Sequence, residues 1–367
     1  DVYKRQVFVD LTPIRVPALV VSAIAHAADV RETSGRSLVA SLVAFLRDKR
    51  LLLVLDNFEH VVAAAPIITD LLEQAPRLKV LATSRMRLGL RGELQYAVPG
   101  LIAPEPAQLP AGEALSAYAA TALFVERARE VARDLAVTGE QARAVAEICR
   151  RLDGLPLAIE LAAARIAVLA PRAMLARLDR RLALLTGGAR DLPARQQSLR
   201  GTIQWSYDLL APDERRVFRE ASVFAGGWTL EAAEAVVKPG GDLAGSPLDL
   251  LASLVDKSLA TRREQPDGEI RLGMLETIRE FGAERLAESD DEAAVRDRHA
   301  AYFVELAERA EPHLELADQA SWLDRLERDE DNVRAALAWI RERQAAELGL
   351  RLVRALKQYW FIRGRLV

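Results

Sequence analysis

Five consecutive aliphatic residues, Leu51-Leu52-Leu53-Val54-Leu55, lie between Arg50 and Asp56 and constrain the fold more than any other stretch. So short and uniformly apolar a run fits a strand of a parallel sheet buried on both faces. Leu78–Ala82 reads as another buried strand, Val7–Leu11 is a short apolar run with a strand signal ended by Asp10 and Pro13, and Leu94–Val98 reads as a further strand ending at Pro99. Between them, Pro17–Ala28, Ser37–Arg47 and Glu59–Leu72 carry apolar residues at helical spacing, with Asn57 as an N-cap and Pro76 beyond the last helix. Strands alternating with helices across short joints imply a doubly wound α/β sheet.

The pattern changes after Pro99. Pro99, Pro104, Pro106 and Pro110 with Gly100 and Gly112 mark a linker. Ser116–Arg181 then reads as helical, and Leu155, Ala158, Ile159, Ala162, Ala163 and Ile166 form one buried face. Gly187-Gly188 breaks this unit. Helical stretches at Leu199–Leu209, Pro212–Ala221, Leu230–Val237 and Pro247–Asp256 precede Leu259–Arg263 and Ile270–Leu272, which flank the turn Pro266-Asp267-Gly268. Helices followed by a hairpin are the order of a winged helix. Beyond Ala293 come amphipathic helices with Trp322, Trp339 and Trp360 at intervals that suggest the start of tetratricopeptide-like repeats. The expected organisation is therefore an α/β domain over 1–105, a helical lid over 113–190, a winged helix over 195–289 and truncated helical repeats over 291–367.

Charge and composition exclude several classes. The net charge of −3 gives no whole-chain electrostatic grip on nucleic acid. The single cysteine, Cys149, precludes an internal disulfide, fits a reducing cytosol and sits in an apolar helix as packing. His26, His60, His299 and His313 are scattered and form no zinc set. No apolar run is long enough to cross a bilayer. The chain opens at Asp1 in mid-pattern with the polar run Asp1–Gln6, and is read as a cytoplasmic fragment cut at both ends.

Three sites carry chemistry. Asp56 ends an apolar strand, where a parallel sheet presents its ligand crevice; it is either a water-mediated Mg²⁺ holder or a turn residue. Thr83, Ser84 and Arg85 end the next strand, where an arginine either reads a phosphate bidentately or only opens a loop. Gly154-Leu155-Pro156-Leu157-Ala158 starts a helix, with proline at a position where its missing N–H costs nothing.

The string Cys149–Glu160, with Leu53–His60, Ala82–Arg85, Trp205-Ser206-Tyr207 and Phe224-Ala225-Gly226-Gly227, resembles the ordered motifs of the STAND or NB-ARC signalling ATPases. It is most similar to bacterial LuxR- or AfsR-like regulators. That resemblance implies a P-loop NTPase-type sheet and an ATP/ADP switch working with Mg²⁺. Asp56 then serves the metal as the Walker B carboxylate, and Thr83 and Arg85 face the terminal phosphate. Pro156 packs on adenine, beside Gly154 and Leu155. It also implies an N-terminal DNA-binding effector, a signal received through the C-terminal repeats, and homo-oligomers in the ATP state.

The sequence departs from that family at three points. None of its 20 glycines is followed by lysine, so the phosphate-binding loop is absent, and it is expected upstream of Val7. Asn57 stands where the family commonly has a second carboxylate; hydrolysis should be slow unless Glu59 acts as the base, a residue that otherwise suits helix-dipole pairing. Leu275 replaces the histidine of a Met-His-Asp motif. These departures leave a second reading open: a catalytically silent NTPase-fold scaffold for protein–protein interaction.

Overall fold

The computed structural model describes residues 6–31, 37–105, 115–132, 139–178, 181–186, 197–237 and 246–363. The Gly187-Gly188 break and the linker beyond Glu105 lie outside them. By contacts the chain divides into Asp1–Val98 with Asp256–Ser258, and Pro99–Val255 with Leu259–Val367.

In the first unit, β1 (Gln6–Asp10), β2 (Leu51–Asp56) and β3 (Leu78–Ala82) form a parallel sheet in the order β1-β2-β3. The helices are α1 (Val20–Ala27), α2 (Leu38–Leu46) and α3 (Pro66–Gln74). Ser37 caps α2, its hydroxyl accepting from the Ala40 N–H at 3.3 Å. Leu51, Leu53 and Leu55 point into the core with Val9, Ile24, Leu42 and Ile68. Each such side chain contributes about 1.5–3 kcal/mol by leaving water.

Four expectations are corrected here. The sheet is not covered on both faces: burial alternates along β2, and the register row Phe8–Val54–Leu81 leaves Phe8 61% and Leu81 55% exposed. The strand order is consecutive rather than doubly wound. Leu94–Val98 is not a strand; Leu94, Tyr96 and Val98 are 96%, 83% and 84% exposed, because alternation alone cannot hold a strand without a partner edge. Finally, the helix expected over Glu59–Leu72 is split into a 3₁₀ segment, Phe58–Ala64, broken at Val61, and α3.

The second unit is helical apart from one small sheet. Its first part contains α4 (Ala119–Val131), α5 (Glu140–Arg151), α6 (Pro156–Ala164), α7 (Pro171–Leu175) and α8 (Arg181–Leu184). Of the expected stripe, Ala158, Ile159, Ala162 and Ala163 are buried on α6 and Leu155 only partly, and Leu161 is buried as well, so the helix is enclosed on more than one side. Next come α9 (Leu199–Asp208), α10 (Pro212–Ala221), β4 (Trp228–Thr229), α11 (Leu230–Val236), α12 (Pro247–Asp256), β5 (Thr261–Glu264) and β6 (Ile270–Gly273). The order β4-β6-β5, antiparallel throughout, is a winged-helix sheet; β4 was not expected from the sequence because a two-residue strand leaves no periodicity.

The remainder is α13 (Glu276–Ala287), α14 (Glu292–Ala310), α15 (Gln319–Arg328), α16 (Glu330–Glu342) and α17 (Ala346–Ile362). α14 is central, packed on α11, α16 and α17. A buried polar lock ties the winged helix to these helices. The Asn332 side chain accepts from the Ala225 N–H at 2.7 Å and donates to the Gly227 carbonyl at 2.8 Å. Asp329 accepts from the Arg271 guanidinium at 2.6 Å, and both side chains are buried.

Candidate functional site

At the C-terminal ends of β2 and β3 the chain makes one polar cluster. Pairing carries on past β3: the Thr83 N–H donates to the Leu55 carbonyl at 2.9 Å, and the Phe58 N–H to the Thr83 carbonyl at 3.0 Å. This brings Thr83 beside Asp56, whose Oδ1 accepts from the Thr83 hydroxyl at 2.5 Å. Asn57 stands at the N-cap position in the left-handed region, φ 61°, but its side chain does not cap. Its amide donates instead to Thr12 Oγ1 at 2.7 Å and to Asp56 Oδ2 at 3.3 Å. The residue expected as a helix cap is therefore a bridge from the β1 loop to Asp56.

Arg85 and Glu59 also meet here. Arg85 Nε lies 3.6 Å from Glu59 Oε1, with the arginine side chain 33% exposed and the glutamate 4%. A carboxylate this buried needs its cation, so the pair holds both side chains in place. Asp56, Glu59, Thr83 and Arg85 thus share one edge of the sheet.

The donor set at Asp56 is compatible with Mg²⁺. A carboxylate has about four lone-pair directions and two are used here. Mg²⁺ typically keeps several waters and takes only one or two carboxylates. No group of three or more His, Cys, Asp or Glu is placed to hold a metal among the described residues.

Gly154, Leu155 and Pro156 lie together in the second unit, at the start of α6. Asp153 and Gly154 are both left-handed, φ 55° and 64°, turning the chain sharply between α5 and α6. Gly154 has a packing reason for its identity: a Cβ there would stand 2.1 Å from the Leu101 carbonyl oxygen, and its own carbonyl accepts the Leu101 N–H at 2.8 Å. Leu155 is the partly buried N-cap residue, and the Pro156 ring at N1 is exposed. Cys149 is fully buried, its Sγ 3.5 Å from the Ala120 carbonyl, and burial pushes its thiol up to about 12. That is a packing residue, as expected.

Sequence reasoning missed Thr12 and the Arg271–Asp329–Asn332 lock, because polar residues joined across long separations leave no local pattern. Leu275 is the N-cap of α13 and packs partly buried against the core.

The segment 210–287 matches the model of a winged helix-turn-helix domain, in agreement with the β4-β6-β5 sheet and its helices. Among curated proteins, the chain is 39% identical over 361 residues to a Mycobacterium tuberculosis protein provisionally named as an HTH-type transcriptional regulator, and equally to one from Mycobacterium bovis. Those alignments cover 98% of this chain and 39% of each relative, so the chain spans well under half the length of these proteins. An uncharacterised protein of M. tuberculosis is 41% identical over 267 residues, covering 72% of this chain and 64% of that protein. Among solved structures, a signal transduction ATPase with numerous domains (STAND) with a tetratricopeptide repeat sensor, from Pyrococcus horikoshii, aligns over 92% of this chain and 47% of its own. At 14% identity and a TM-score of 0.26 that likeness carries no argument. No helix among the described residues is long and apolar enough to cross a membrane.

Proposed function

We propose that this chain is the switch core of a longer transcriptional regulator, governed by whether ATP or ADP is bound. The observation that carries the reading is the grouping of Asp56, Thr83 and Arg85 on one edge of a parallel sheet, where such folds take their ligands. The relatives named as transcriptional regulators support the regulatory half. In this reading Asp56 holds Mg²⁺ through water, and the ion supplies charge neutralisation to the phosphates. Thr83 orients the Asp56 carboxylate, and Pro156 offers an apolar ring to the base. Arg85 rests on Glu59 and is released to a terminal phosphate, a stronger partner because its fork geometry suits bidentate contact. With Glu59 committed to Arg85, and Asn57 a neutral bridge, hydrolysis is slow. An N-terminal DNA-binding effector outside this chain, input through repeats continuing from α14–α17, ATP-linked self-association and a cytoplasmic setting complete the proposal.

Its winged helix is read as a protein-facing module. Helix α12 carries Asp249 and Asp256 and no Lys or Arg, the wrong sign for a groove-reading helix.

The test is Glu59→Gln in the full-length protein. Freeing Arg85 should raise affinity for ATP relative to ADP by about tenfold, one charge-assisted contact's worth; an unchanged ratio would mean the Glu59–Arg85 pair is not part of the switch. A silent scaffold is the second reading, favoured by one observation: both Asp56 oxygens and the Arg85 guanidinium already have partners within the chain. No detectable nucleotide binding by the full-length protein would select it.

A further inference from the structure

A cavity of about 100 Å³ lies where the winged helix meets the C-terminal helices, lined by Ser222 after α10, Arg279 on α13, Arg296 and His299 on α14, and Ala335 and Trp339 on α16. Its charged lining is all cationic. Each guanidinium is held from outside the cavity: Arg279 by Glu276 at 2.9 and 2.5 Å, and Arg296 by Glu292 at 2.9 Å. Neither pair exhausts the five N–H donors of a guanidinium. The Nε of Arg296 is buried with no acceptor among the described residues, while its guanidinium lies 5.1 Å from the Trp339 ring centroid. The Trp339 N–H is spent on Asp297 at 2.8 Å, so the indole contributes an apolar wall.

Three features together describe an anion seat: a partly open hollow, unspent donors on two cations, and a flat aromatic side. From them we infer that this cavity binds a small oxyanion or carboxylate, as a free ion or as the acidic end of a metabolite. Its volume matches inorganic phosphate or acetate, or about three waters if no ligand binds. Burial lowers the Arg279 guanidinium, the direction expected of a desolvated cation, against the opposing pull of the Glu280 and Asp331 carboxylates. The His299 imidazole is likewise pushed down to about 4 by burial, so it faces the cavity uncharged and responds to an anion by rising. The site is independent of the β2–β3 edge. A ligand in it bridges α13, α14, α16 and the turn after α10, which makes it an input point for a small acidic signal.

The test is calorimetric titration of the 367-residue chain in phosphate-free buffer with inorganic phosphate and, separately, acetate, using chloride as the control anion. Two variants accompany it: Arg296→Gln removes one cation, and Ala335→Leu fills the space while keeping both arginines. Saturable binding near 1 mM or tighter is expected, weakened about tenfold or more in each variant, as loss of a charge-assisted hydrogen bond or of the space would produce. The His299 ring titration, followed by NMR, should move upward at saturation. Preference for acetate would identify a carboxylate ligand and preference for phosphate an oxyanion, both in support. Absence of saturable binding, or binding that neither variant weakens, would overturn it.

Discussion

Replacing Asn332 by alanine removes the side chain at the centre of the lock between the winged helix and α16. The native amide takes the Ala225 N–H at 2.7 Å, gives to the Gly227 carbonyl at 2.8 Å and to Asp329 Oδ1 at 3.3 Å, and lies 3.4 Å from His299 Nε2. Two of these partners keep other bonds: the Gly227 carbonyl retains Arg271 Nη2 at 3.2 Å, and Asp329 retains it at 2.6 Å. The Ala225 N–H, partly buried itself, loses its acceptor where the Asn332 side chain is fully buried. A partly buried donor left unpaired costs about 1 kcal/mol, the low end of the buried range, and the volume vacated at the fully buried Asn332 adds a cavity term of about 1–3, so about 2–4 kcal/mol is expected in total. Because the chain has two units, a single unfolding midpoint is a poor reporter. Hydrogen exchange at Ala225 is the better assay, and it should accelerate about 30-fold or more. Asn332→Asp is expected to fail as well, since it places a second carboxylate beside Asp329 and loses the donor to Gly227. Exchange within about threefold of the parent in Asn332→Ala would refute the lock.

His299 sets a pH dependence. Its folded value, about 4, lies below the ordinary 6.5, so the unfolded chain binds the proton first; stability is full above about 6.5 and falls as pH drops toward 4, by about 3 kcal/mol. His299→Gln should flatten that acid limb in urea titrations, and an unaltered slope would assign it elsewhere. Cys149 should stay unreactive toward iodoacetamide at pH 8 in the native protein and alkylate only in urea; rapid native labelling would mean the α4–α5 packing opens readily. Leu350, Val353 and Phe361 form an exposed apolar stripe on α17, while Leu352, Leu356 and Tyr359 face the core. Changing the three exposed residues to glutamine should reduce self-association in sedimentation while altering stability by no more than about 0.5 kcal/mol, whereas a larger loss would show that the stripe already has a partner.

Much of this architecture is legible in residue order because local signals and tertiary demand agree. The β2 run and the α6 stripe each follow from short-range pattern alone. Reading fails where the outcome depends on a partner. Leu94–Val98 has strand-like alternation but no paired edge, and only the assembled sheet reveals its open Phe8–Leu81 face. At the candidate site, spacing located Asp56, Thr83 and Arg85, yet it could not show that Asn57 turns left-handed to bridge Thr12 and Asp56. Nor could it show that Gly154 is required by the close approach of Leu101, a contact between residues far apart in sequence.

The switch reading rests on Arg85 distinguishing the two nucleotides, and the ATP-to-ADP affinity ratio of the full-length protein, measured by calorimetry with and without Arg85→Ala, tests it most directly. Tight binding of both nucleotides is expected in the parent. The variant should lose about 1–3 kcal/mol of discrimination, roughly fivefold to 150-fold in the ratio, as removal of a charge-assisted phosphate contact requires. An identical ratio in parent and variant would contradict the account and leave Arg85 as the structural counter-ion of Glu59.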